Sequence, residues 1–128
     1  MGRRRSQQQF GRVLTVNSKT TDGGTSWTTP TTVSPFKYNQ GSVLFVDAFG
    51  TMQVTYIAFS RSHNVVASSS STDGGATFTT NILATINAIP SPLPGGTFRT
   101  TACRRSPFPE HRCHVVWANW NGANADVL

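Results

Sequence analysis

The octet Thr20-Thr21-Asp22-Gly23-Gly24-Thr25-Ser26-Trp27 returns, 51 positions on, as Ser71-Thr72-Asp73-Gly74-Gly75-Ala76-Thr77-Phe78. Both copies obey one rule: hydroxyl, any, Asp, Gly, Gly, any, hydroxyl, aromatic. A tight motif repeated at such a period marks a repeat architecture and constrains the fold more than any other feature of the chain. The Asp carboxylate can accept backbone N–H groups of its own turn. The paired glycines permit the positive φ angles that such a turn needs. The closing aromatic is expected to anchor the next strand in an apolar layer. Thr20, Asp22, Gly24 and Trp27, and equally Ser71, Asp73, Gly75 and Phe78, therefore read as structural residues.

Composition agrees with an all-β chain. Ser and Thr supply 31 of the 128 residues, only 12% are charged, and Gly and Pro punctuate Thr-, Val- and aromatic-rich runs. No segment carries a sustained helical period. The formal charge is +6, half of it from Arg3, Arg4 and Arg5. Residues 1–10 read as a basic, disordered tail; nucleic-acid binding through it is the weaker reading. No apolar run is long enough to span a membrane, and no signal-peptide core is visible.

The octets resemble Asp-boxes, the bacterial-neuraminidase repeats of sialidase-like β-propellers. The resemblance covers roughly residues 11–128. It implies a partial β-propeller of four-stranded antiparallel blades, each box joining the third and fourth strands of a blade. It also implies that the boxes lie on the face opposite the ligand site. A closed ring takes at least four blades, so 128 residues are expected to be a fragment holding about two to two and a half.

On that reading, residues 11–33 end one blade, 41–86 form a full blade, and 97–128 begin the next. The full blade is expected to use strands 41–49, 52–60, 63–70 and 78–85, apolar on both faces because neighbouring sheets cover each side. Asp47 falls inside the first of these. The earlier blade supplies strands 12–17 and 27–33. The later one supplies 98–105, 113–119 and 125–128. Matching Tyr56-Ile57-Ala58 to Val116-Trp117-Ala118 gives an offset of 60 between the two later units. The Pro- and Gly-rich stretch 87–96 reads as the crossover between them.

Cys103 and Cys113, the chain's two cysteines, are placed on the two arms of one hairpin. A disulfide there suits an oxidising compartment; two reduced structural cysteines are the alternative. With His111 and His114 they match no standard zinc spacing, so no metal and no cofactor are expected.

Chain direction places the second-to-third loops and the crossovers together, away from the boxes. The ligand-binding candidates there are Arg61, His63, Arg99, Trp120, Asn121 and Asp126. An arginine fork suits a sugar carboxylate, and Trp suits the apolar face of a pyranose. Phe98-Arg99 resembles the opening of the sialidase arginine motif, but Thr100-Thr101 stands where Ile-Pro is usual. Sialidases pair a Tyr nucleophile with an acid. No such pair can be assembled from the five acids of this chain, so the catalytic residues stay unassigned. The expected function is that of a fragment of a secreted, sialidase-like glycoside hydrolase or relative that acts on or recognises glycans. It is expected to be inactive alone, with the rest of the propeller needed to close the ring. The alternative is a non-catalytic propeller that binds glycans or proteins.

Overall fold

The computed structural model describes residues 14–59, 63–87, 103–105, 115–123 and 125–127, with 103–105 and 125–127 described by their backbone. The described residues are all-β, with antiparallel sheets and no helix. The arginine tail and most of the Pro-rich crossover lie outside them.

Among the described residues nine strands form three groups. β1 (Val16–Asn17) pairs with β2 (Thr31–Thr32). A four-stranded sheet follows in the order β3 (Asn39–Val46), β4 (Met52–Phe59), β5 (Asn64–Ser71), β6 (Thr79–Ile86). β7 (Cys103–Arg105), β8 (Val115–Trp120) and β9 (Ala125–Val127) form the third group. Neighbours in each group are consecutive in the chain and antiparallel, so each group is a meander of hairpins.

The middle sheet is buried at its centre and exposed at its margins. Val54 to Ala58 of β4 form one unbroken buried run, and Val65, Val66 and Ala67 of β5 are buried beside it. Such runs require cover on both faces, and both faces have it. On one face Val54, Tyr56, Ala58, Val65 and Ala67 pack with Val33, Phe36 and Phe78. On the other, Ile57, Val66 and Ile86 pack with Val115 and Trp117. The chain before β3 and the β8 strand thus clamp the sheet between them. β3 and β6 depart from the two-sided apolar expectation, because Leu44, Val46, Ile82 and Leu83 are exposed. Fully buried Tyr56 keeps its hydroxyl satisfied through Ser69 Oγ at 2.8 Å, and Ser69 meets Thr80 Oγ1 at 2.6 Å. A hydroxyl relay thus crosses three strands where an unpaired phenol would be costly.

Three strand expectations need correction. The first strand of the sheet spans Asn39–Val46 rather than 41–49. Gly41, at φ +69°, lets the chain bulge between Gln40 and Val43, so Asn39 and Gln40 still pair with Ala58 and Ile57. The same strand stops before Asp47. Asp47 Oδ1 accepts the N–H groups of Phe49 and Thr51 at 2.9 and 2.8 Å, making Asp47 a turn residue. The expected strand 27–33 shrinks to Thr31–Thr32. Thr28 N donates to Lys19 O, yet Asn17 pairs with Thr31, leaving an extra residue on the returning side around Thr29 and Pro30. Pro30 has no N–H for a ladder, so the bulge falls there.

The offset also changes. Arg104 pairs with Val116 as Val43 pairs with Thr55, and Ala118 pairs with Val127 as Ile57 pairs with Val66. Each correspondence steps by 61, not 60. Trp117 is therefore the counterpart of Tyr56, and both turn toward the unit that precedes them.

Candidate functional site

Strand registers sort the turns into two ends. Val46 pairs with Met52 and Met52 with Ser71, so the turn after β3 and the Ser71–Phe78 octet share one end. Lys19 Nζ donates to Gly74 O at 3.0 Å, which brings the first octet to that end as well. Phe59 pairs with Asn64, and Asn64 with Ile86, so His63 and Asn87 lie at the other end. Trp120 N donates to Asn87 O at 2.9 Å, and Asn87 N donates to Asn119 Oδ1 at 2.8 Å. These two bonds dock the end of β8 against the exit of β6.

The octets form equivalent circuits. In the first, Thr20 Oγ1 donates to Asp22 Oδ1 at 2.7 Å and accepts Gly24 N at 2.9 Å. Asp22 also accepts Ser26 N on Oδ1 at 2.9 Å and Ser26 Oγ on Oδ2 at 2.5 Å. In the second, Ser71 Oγ, Thr77 N and Thr77 Oγ1 take the same places about Asp73, and Gly75 N donates to Ser71 Oγ. The glycines carry the φ angles this circuit needs: +72° and +96° at Gly23 and Gly24, +70° and +89° at Gly74 and Gly75. The donated hydroxyl of Ser26, then its backbone N–H and the hydroxyl of Thr20, hold the Asp22 carboxyl well below the usual range. Thr77 and Ser71 do the same for Asp73. A carboxylate so occupied is a brace for its own turn.

The second octet meets the segments that flank the first along a cleft of about 190 Å³ lined by Asn17, Lys19, Thr28 and Asp73 among others. The Lys19 ammonium bridges to Gly74 O across this seam, and Gly75 leaves room for Asn17 and Met52, which a Cβ there would crowd. Trp27 departs from its expected role: it is 63% exposed, whereas Phe78 packs on the core. Phe78 has Val33 and its neighbours beneath it. Among the described residues no sheet precedes β1 to serve Trp27 in that way.

Of the ligand candidates, His63 and Asn121 are exposed in the loops before β5 and before β9, and Trp120 is half-buried at the end of β8. Asp126 pairs by backbone with Asn119 in the hairpin that Trp120 and Ala125 close. All four belong to the end away from the octets. Arg61, Arg99 and Cys113 lie outside the described residues, and with them the arginine fork and the proposed cysteine bridge; Cys103 sits on β7 opposite Trp117.

Two contributors at this end escaped the sequence reading. Asn87 and Asn119 form the docking contact described above. Buried Asn39 and Ser34 stitch the connection between β2 and β3 to the start of β3: Ser34 Oγ donates to Asn39 Oδ1 at 2.8 Å, and Asn39 Nδ2 donates to Phe36 O at 2.9 Å. The only signal available was an Asn or Ser at each strand boundary, which is common in ordinary turns.

No protein-family model, curated protein or solved structure matches this chain.

Proposed function

We propose that this chain is part of a sialidase-like β-propeller whose face away from the octets recognises glycans. The observation that supports this reading best is the paired geometry of the octets. Two copies fold into the same hydrogen-bonded turn, at the same end of successive antiparallel units that stack face to face. That arrangement is what Asp-box blades would require. It leaves the opposite end, with His63, Asn87, Asn119, Trp120 and Asn121, for ligand. Trp120 would offer an aromatic surface to a sugar ring, and the amides would bond its hydroxyls. The arginines at 61 and 99 would add a carboxylate clamp for an acidic sugar. Remaining blades would close the ring and complete the site, and secretion would fit the cysteine pair.

A second reading, a propeller that binds glycans without cleaving them, draws on the use of the acids. Asp22, Asp47 and Asp73, three of the chain's five acids, brace turns at the octet end. Hydrolysis of a glycosidic bond needs acids at the sugar.

One preparation of the chain tested on a glycan array and on fluorogenic sialosides addresses both readings. Binding to sialylated glycans that is lost in Trp120→Ala, without turnover, is the expected result. Turnover abolished by Arg99→Ala would show a working active site in this chain. Binding unaffected by Trp120→Ala would refute the assigned face.

A further inference from the structure

Three positions place a glycine directly after an Asp or Asn, whose side chain can close a five-membered ring onto it: Asp22-Gly23, Asp73-Gly74 and Asn121-Gly122. We propose that Asn121 is a site of spontaneous modification, at which the side-chain amide is exchanged for a carboxylate through a cyclic imide with Gly122.

The reaction needs only water. The Gly122 amide nitrogen, having given its proton to solvent, bonds to Cγ of Asn121. The bond from Cγ to Nδ2 breaks, and Nδ2 takes up a proton and leaves as ammonia. Water then opens the five-membered imide at either carbonyl. One opening gives Asp at 121; the other gives isoaspartate, in which the main chain runs through the former side-chain carboxyl.

Local structure selects this residue. Every other asparagine in the chain precedes a residue with a Cβ, several of them branched or bulky: Val after Asn64, Ile after Asn81, Trp after Asn119. Only glycine presents its nitrogen without that obstruction. Asn121, Gly122 and Ala123 are all exposed, at the tip of the four-residue loop between Trp120 and Ala125. Gly122 sits at φ +102°, and a Cβ built on it would meet nothing within 4 Å, so the tip has room to rearrange. Ala123 N donates to Asn121 Oδ1 at 2.9 Å, which polarises the amide carbonyl toward attack at Cγ.

The two Asp-Gly pairs have the same backbone permissiveness, but their carboxylates are closed into the octet circuit. Both oxygens of Asp22 are held, by Thr20 and by the backbone and hydroxyl of Ser26. Asp73 is held likewise. A carboxylate fixed in that circuit cannot swing toward the following nitrogen. It also stays ionised, and an ionised carboxylate lacks a leaving group. The octets are therefore protected while folded, whereas Asn121 reacts in the folded chain.

The new negative charge would lie at the end assigned above to glycans. Weaker binding of acidic glycans by the converted form rests on that reading; the conversion itself does not. The test is to hold the purified chain, folded and in denaturant, in mildly alkaline buffer to read Asn121 and in mildly acidic buffer, where an unfolded Asp is partly protonated, to read Asp22 and Asp73, then follow its peptides by mass spectrometry and isoaspartate-specific methylation. The folded chain is expected to convert Asn121 to a mixture of Asp and isoaspartate several-fold faster than any other asparagine. Asp22 and Asp73 should isomerise only in denaturant, and the acidic charge variant should be missing from Asn121→Gln. Conversion of Asn121 no faster than that of Asn119 or Asn124 would overturn the proposal. Isomerisation of Asp73 at one rate in both states would overturn the protection assigned to the octets.

Discussion

The two octets share a hydrogen-bond circuit and differ in nearly everything around it. Residues 21–27 are exposed throughout, and Trp27 lies on the surface. In the second octet Ser71 and Gly75 are buried and Phe78 packs against Val33 and its neighbours. The turn itself is local, because Asp, two glycines and two hydroxyls satisfy one another within eight residues. Burial is supplied from outside: the second octet has as neighbours Asn17 and Lys19, on the segment that leads into the first. One motif can thus be self-sufficient in conformation and dependent on its surroundings for stability.

The largest break in this comparison should come from the second glycine of each octet. Both occupy positive φ, so alanine costs about 1–2 kcal/mol of backbone strain at either. At Gly75 the added methyl also collides with Asn17 Nδ2 and crowds Met52 Sδ, whereas at Gly24 the nearest atom is a Trp27 ring carbon at 4.0 Å. Chemical denaturation should show Gly75→Ala losing about 3 kcal/mol in total, with overpacking added to strain. Gly24→Ala should lose about 1 kcal/mol. Equal losses would mean that the close approach of Gly75 to Asn17 and Met52 is not formed in solution.

The closing aromatics should separate by somewhat less. Phe78→Ala removes a half-buried ring from the core and should cost about 2 kcal/mol, below the ~3–5 kcal/mol of a fully buried phenylalanine. Trp27→Ala removes an exposed ring and should stay within about 0.5 kcal/mol. Thermal melts of the two variants decide the point. A large loss at Trp27 would reveal a packing partner outside the described residues.

The smallest difference is expected at the aspartates, whose circuits are the same. Asp22→Asn and Asp73→Asn should each destabilise, and by similar amounts, since both carboxylates accept one hydroxyl and one backbone N–H from the residue four positions on. Acid should reproduce this. Each carboxyl titrates in the folded chain below its ordinary value of 3.8. The stabilisation it brings is therefore complete above that value and drains away as the pH falls below it. Denaturation midpoints measured downward from neutral pH should fall in this range for the native chain and less steeply for either Asn variant. A steep acid loss in only one variant would show that the two circuits are not equivalent.

The octet was legible because its information is local: the spacing of Asp, glycines and hydroxyls is enough to specify the turn. The strands of the middle sheet were legible for the same reason, to within a few residues, from apolar runs bounded by glycine and polar turns. Pro30 and Gly41 displaced strand ends because a bulge is a negotiation between two strands, and one strand's sequence carries only half of it. The step of 61 was misread as 60 because Val116-Trp117-Ala118 resembles Tyr56-Ile57-Ala58 in hydropathy. Only the pairing register and the face to which Trp117 turns distinguish adjacent alignments, since a slip of one residue reverses every side chain.

The candidate ligand end was half legible. Direction along the chain assigned His63, Trp120, Asn121 and Asp126 to one end, and the strand registers place them there. The docking of Asn87 on β8 and the Ser34–Asn39 stitch had no motif, because their partners are distant in sequence or belong to a crossover whose path depends on the sheets it joins. By itself the sequence determined two turns, their spacing and an all-β chain, since backbone permissiveness and short-range hydrogen bonds are properties of a few adjacent residues. Tertiary structure alone decided which octet is buried, which face each aromatic serves and which amides meet at the far end, since burial is conferred by neighbours that the local sequence does not contain.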